Sequence, residues 1–107
     1  MADININLHA EIDDTPVRGN AMASGDDAFD KKVENKILRD LRNGDIWAWA
    51  LVKVTATDDA TGESYDTYLG AVSYKNEREF RASETYAEMK EEAIDGLLDI
   101  LEDLAAA

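Results

Sequence analysis

Cysteine is absent from this chain, which removes disulfides, thiolate nucleophiles and thiolate-bound zinc or iron–sulfur centres together. Histidine occurs once, as His9, so the commonest neutral-pH acid–base group has a single representative. Proline also occurs once, and the six glycines are scattered. No Gly-x-x-x-x-Gly-Lys or Gly-x-Gly-x-x-Gly phosphate cradle is present, nor a Gly-x-Ser-x-Gly elbow for a nucleophilic serine. Basic residues are scarce: 11 stand against 24 acidic ones, for a formal net charge of −13. Charge of that sign repels a phosphate backbone, so direct binding to DNA or RNA is not expected. No apolar run approaches the ~18–20 residues that span a bilayer, and Met1-Ala2-Asp3-Ile4-Asn5 lacks the basic and apolar regions of a signal peptide. The expectation is a soluble cytoplasmic protein with no membrane contact, cofactor or metal.

What is present suffices for a single domain over 1–107. At 45% apolar the 107 residues can bury a core, and the length leaves no room for a second one. Residues 3–12 alternate, with Ile4, Ile6, Leu8, Ala10 and Ile12 on one side and polar residues on the other, which predicts a half-buried strand. The loop that follows holds Pro16 and Gly19. Ser24-Gly25-Asp26-Asp27 fits a capping box, with Ser24 as cap and Asp27 reaching back. The helix it opens has Phe29, Val33, Ile37, Leu38 and Leu41 as its core stripe and stops at Asn43-Gly44. Residues 46–57 and 64–74 are rich in β-branched and aromatic types around the turn Asp58–Glu63, which predicts a hairpin. Asn76 opens a short turn over 76–81. From Ser83 to about Leu104 runs a final helix with a wide apolar stripe from Tyr86 to Leu104. The order β-α-β-β-α predicts an α+β fold: a three-stranded, mainly antiparallel sheet with two helices packed on one face.

Catalytic chemistry finds little support in these residues. His9 lies on the polar side of the first strand, and an enzyme working through it and neighbouring carboxylates is the weakest reading. Asp58–Glu63 resembles a calcium loop in composition but lacks the alternating ligands and the distant bidentate glutamate. A non-enzymatic protein is expected.

Two features stand out. Residues 25–42 are neutral, five acids against five bases, whereas 84–107 hold eight acids and one base. Those acids, Glu84, Glu88, Glu91, Glu92, Asp95, Asp99, Glu102 and Asp103, advance mostly by three and four, so they form a ridge ~30 Å long on one side of the helix. Phosphates repeat on a comparable scale along a DNA strand. The alternative is an ordinary solvated helix face, although like charges at successive i,i+4 steps repel. The second feature is the hairpin. Pairing Thr57 with Ser64 gives partners whose numbers sum to 121, and sets Ala48, Ala50, Val52, Val54 and Ala56 on a small-residue face suited to helix packing. Trp47, Trp49, Tyr68 and Tyr74 then share the other face, with Leu51, Lys53, Gly70 and Val72, as an aromatic contact surface. The alternative is that loop 13–24 folds over this patch and makes it a second core.

Asn20-Ala21-Met22-Ala23-Ser24-Gly25-Asp26-Asp27, Asp45-Ile46-Trp47-Ala48-Trp49 leading into Val52-Lys53-Val54-Thr55-Ala56, Tyr68-Leu69-Gly70 and Ser73-Tyr74 form an ordered set. Together, over roughly 17–101, they resemble a group of small acidic proteins carried by phages, plasmids and other bacterial mobile elements. The resemblance implies a mobile-element setting in a bacterial host cell, and no catalytic or binding residues come with it. By analogy of charge and setting, small acidic proteins of mobile elements include anti-restriction and anti-CRISPR inhibitors, some of them DNA mimics.

The function expected is that of an acidic inhibitor that occupies the basic surface of a host nucleic-acid-binding or defence protein, using the ridge and the hairpin aromatics. The alternative is a small structural or accessory module, a homodimer through Trp47, Trp49 and Tyr74, whose charge serves only solubility.

Overall fold

A computed structural model of the protein describes residues 3–21 and 24–106. Met1, Ala2, Met22, Ala23 and Ala107 lie outside the described residues, and with them the first two positions of the amino-terminal segment and two positions of the 20–27 segment. The elements are β1 (Ile4–Ile12), α1 (Asp27–Arg42), a one-turn 3-10 segment (Ile46–Ala48), β2 (Ala50–Asp58), β3 (Ser64–Val72), α2 (Glu77–Arg81) and α3 (Glu84–Ala106). The sheet has the order β1-β2-β3 with both pairings antiparallel. It is the α+β fold the periodicities predict; of the two helices expected on one face of the sheet, α3 lies over β2 and β3, where the short α2 packs beside it. The long α1 docks elsewhere, against the 46–48 turn.

The central strand explains the main core. Ala50, Val52, Val54 and Ala56 are fully buried on the side facing α3, which offers Met89, Ala93 and Leu97 in return. Small and β-branched strand residues let a helix approach to roughly 10 Å, so the two layers close on each other. Phe80 plugs the open end, its ring 5.2 Å from that of Trp47, 5.1 Å from Tyr74 and 5.5 Å from Tyr86. A second, smaller core gathers Val17, Ile37, Ala48 and Trp49, joining loop, α1 and turn. Buried Glu34 fixes that loop from α1, accepting from the Gly19 N–H at 2.6 Å and from Arg18 at 3.3 Å.

Four local expectations are corrected. The cap of α1 is Asp26, whose carboxylate accepts from the N–H groups of Ala28 and Phe29, while Ser24 donates to Asp30 instead. Phe29 is exposed, because the first turns of α1 run past the small core, which forms around Ile37. The second strand starts at Ala50 rather than Ile46: the Asp45 side chain accepts from the Trp47 N–H at 3.1 Å and winds 46–48 into a 3-10 turn. The hairpin register sums to 121 from Thr57/Ser64 to Val52/Leu69 and then slips, so that Ala50 meets Val72. Ala71, at φ +55°, takes up the extra residue, and the Asp13 carboxylate accepts its N–H at 2.5 Å.

Candidate functional site

Helix α3 presents its charge as the spacing predicts. Tyr86, Met89, Ala93 and Leu97 are buried beneath the helix, and Glu84, Glu88, Glu91, Glu92, Asp95, Asp99, Glu102 and Asp103 are all exposed on the opposite side. Among the described residues none of the eight makes an ion pair. The one cation in this stretch, Lys90, does not join them; its ammonium lies 4.6 Å from the centre of the Tyr86 ring, against the core side of the helix. The ridge is therefore uninterrupted by positive charge over its length.

The aromatic contact surface does not exist as expected. Trp47 and Trp49 are 8% and 3% exposed and belong to different cores. The physical reason is the 46–48 turn: residues two apart share a face in a strand but not in a 3-10 turn. The Trp49 indole N–H donates to the Thr15 carbonyl at 2.7 Å, so loop 13–21 does fold over this tryptophan. Tyr74 is half-buried against Phe80, with its hydroxyl 3.2 Å from Thr85 Oγ1. Val72 has crossed to the core side because of the bulge. Only Tyr68, 60% exposed, remains on the outer face of the sheet, in one row with Lys53 and His9. A shallow depression there is lined by His9, Glu11, Leu51, Lys53 and Tyr68, and His9 Nε2 lies 3.8 Å from Glu11. Among the described residues no three His, Asp or Glu side chains are placed to hold a metal ion, and no helix is long and apolar enough to cross a membrane.

A second charged surface escapes the residue count. Three of the four acids in α1 turn inward or sideways, leaving Asp27 exposed in the first turn: Glu34 is buried on the loop, Asp30 binds Ser24 and Asp40 pairs with Lys36 at 2.9 Å. Lys31, Lys32, Lys36, Arg39 and Arg42 are left on the exposed side beside Phe29. The neutral 25–42 segment thus has a basic outer face, legible only by laying the cations on a 3.6-residue wheel opposite Ile37 and Leu41. The molecule is drawn out to 57 Å along its longest axis, with the acidic ridge and the basic face on different helices.

Comparison of the chain with family models, curated proteins and solved structures finds no match.

Proposed function

We propose that the protein is a non-enzymatic acidic binding protein of a phage or other mobile element, which inhibits a host nucleic-acid-binding or defence protein by laying the α3 ridge on its basic surface, as a DNA mimic does. The observation that carries this reading is the row of eight exposed carboxylates, none with a cationic partner among the described residues. From Glu84 to Asp103 the helix rises about 29 Å, roughly 4 Å per step between charges, next to one charge per ~3.4 Å along a single DNA strand. Glu102 and Asp103 stand in the C-terminal part of α3, where the helix dipole disfavours negative charge and the last turn has no basic residue. Such clustering lowers the stability of the free protein, and a partner's lysines and arginines would offset it.

The test is capture of proteins from bacterial lysate on immobilised protein at low salt, followed by elution with either salt or a short DNA duplex. Nucleic-acid-binding proteins should be retained at about 50 mM salt, leave at about 500 mM as the Debye length shrinks, and be displaced by the duplex. The variant Glu88→Lys, Asp95→Lys, Asp99→Lys, Glu102→Lys should retain none of them. Equal capture by the variant, or proteins that the duplex fails to displace, would leave the charge with solubility alone as its role.

A further inference from the structure

We infer that β1 is the seam of a homodimer, in which two copies pair their Ile4–Ile12 edges antiparallel and join two three-stranded sheets into one of six strands. The sheet order leaves β1 and β3 as edges. The Asp3 carbonyl accepts from the Asp59 N–H and the Asp13 N–H donates to the Trp49 carbonyl. Odd-numbered positions of β1 therefore bond to β2, and the N–H and C=O groups of Ile4, Ile6, Leu8, Ala10 and Ile12 point outward. Among the described residues these five have no backbone partner on that side.

The two edges are not alike. Edge strands are ordinarily guarded by bulges, lysine, proline or inward-pointing charge. The free edge of β3 carries a bulge at 70–71, and β3 has Asp66 and Gly70. Strand β1 is unbulged over nine residues and contains no proline, lysine or arginine. Its core-facing side chains are also incompletely covered, since α3 crosses β2 and β3: Ile4, Ile6 and Leu8 are half-buried and Ile12 is 49% exposed. Leu98, 45% exposed, lies on the flank of α3 opposite Gly96, which faces Tyr65 of β3.

A second copy fits this edge by register and charge. Directly opposed residues share a face, so only pairings with an even sum keep both apolar sides together. With Leu8 opposite itself all nine residues pair, His9 meets Asn7 and Glu11 meets Asn5, and the like charges that do oppose, Asp3 and Asp13, lie beyond the two ends of the paired strand. Moving the centre to Asn7 sets Glu11 against Asp3 and leaves Ile12 unpaired. The contact is two-fold and closes on itself, while the guarded β3 edges stop further growth. A seam of about 30 Å is at the small end of specific interfaces, for which a dissociation constant in the micromolar range is expected.

Sedimentation velocity across a concentration series should show monomer passing to dimer, with dimer favoured by salt because screening relieves repulsion between two chains of −13. Amide exchange should protect Leu8 and Ala10 only in concentrated samples, and Asn7 and His9 at every concentration. Asn7→Cys with His9→Cys, both exposed and the only cysteines, should oxidise to a covalent dimer, because opposed Cα atoms lie about 4.5–5.5 Å apart and within disulfide reach. The pair Asp66→Cys with Tyr68→Cys on β3 should remain monomeric. A monomer at ~500 μM in high salt, protection that appears on β3 instead, or equal cross-linking of the two cysteine pairs would overturn the inference. None of these substitutions touches α3, and binding through the ridge weakens with salt, so the two proposals fail separately.

Discussion

Asp13 ties together three stretches of chain far apart in sequence. Its carboxylate accepts from the N–H of Thr15 at 2.8 Å and of Ala71 at 2.5 Å, and its own N–H donates to the Trp49 carbonyl at 3.0 Å. The Thr15 N–H first, and then that of Ala71, hold the carboxyl below the ordinary carboxylate range. A carboxyl depressed in the folded state stabilises fully above its unfolded pKa of about 3.9 and loses that contribution as pH falls through the folded value. Asp13→Asn should therefore cost about 1 kcal/mol in urea unfolding at pH 7, with the gap narrowing below about pH 4. A gap that is constant with pH would mean that shape, not charge, is what Ala71 and Thr15 require. The bulge it supports was not legible in the sequence, because the residue that fixes it lies 58 positions away. The 46–48 turn was hidden differently: Trp47-Ala48-Trp49 alternates like a strand, and the one local signal was Asp45, whose side chain caps the turn.

At the scale of elements, the pairing of α3 with β3 depends on a missing side chain. A Cβ at Gly96 would stand 2.5–2.7 Å from three carbons of the Tyr65 ring. Alanine ordinarily stabilises a helix interior by about 1 kcal/mol over glycine. Here Gly96→Ala should instead lower stability by about 1–2 kcal/mol through overpacking. In a Tyr65→Ala background the same change should raise stability, and thermal unfolding of the four proteins gives the coupling directly. If Gly96→Ala stabilises the parent, α3 rides on β3 more loosely than the 2.5 Å approach implies. Strands, hairpin and helices were legible because periods of 2 and 3.6 are local properties, and most of the hairpin register followed from the turn length. Which face each helix covers was not local. Leu98 and Leu104 belong to an apolar stripe wider than α3 can bury on two strands, and the basic face of α1 emerges only once Glu34 has turned inward onto Gly19. The acidic ridge was readable in full, since all eight carboxylates lie exposed on one side of one helix and, among the described residues, none makes an ion pair.

For the whole molecule the decisive quantity is the arrangement of its −13 charge. Five of the 11 cations that balance part of it sit on α1, and Lys90 of α3 lies over Tyr86, so among the described residues no cation pairs with the ridge and its repulsion is relieved by solvent ions. Exposed charges about 5–6 Å apart interact well within the ~10 Å Debye length of 0.1 M salt, and far less when that length falls to ~3 Å near 1 M. The melting temperature should therefore climb by several degrees as sodium chloride is raised from about 20 to 500 mM, in line with ~1 kcal/mol of relieved repulsion for a chain of this size. Hydrophobic salting-out would also raise it, so the control is the charge pattern itself. Glu88→Lys, Asp95→Lys, Asp99→Lys, Glu102→Lys places lysines within four residues of Glu84, Glu91, Glu92 and Asp103 and brings the formal charge to about −5. That variant should melt higher than the parent at low salt and gain less from added salt. Parallel salt curves for the two proteins would mean that the carboxylates do not strain the free fold, and would remove the energetic reason for a cationic partner to settle on α3.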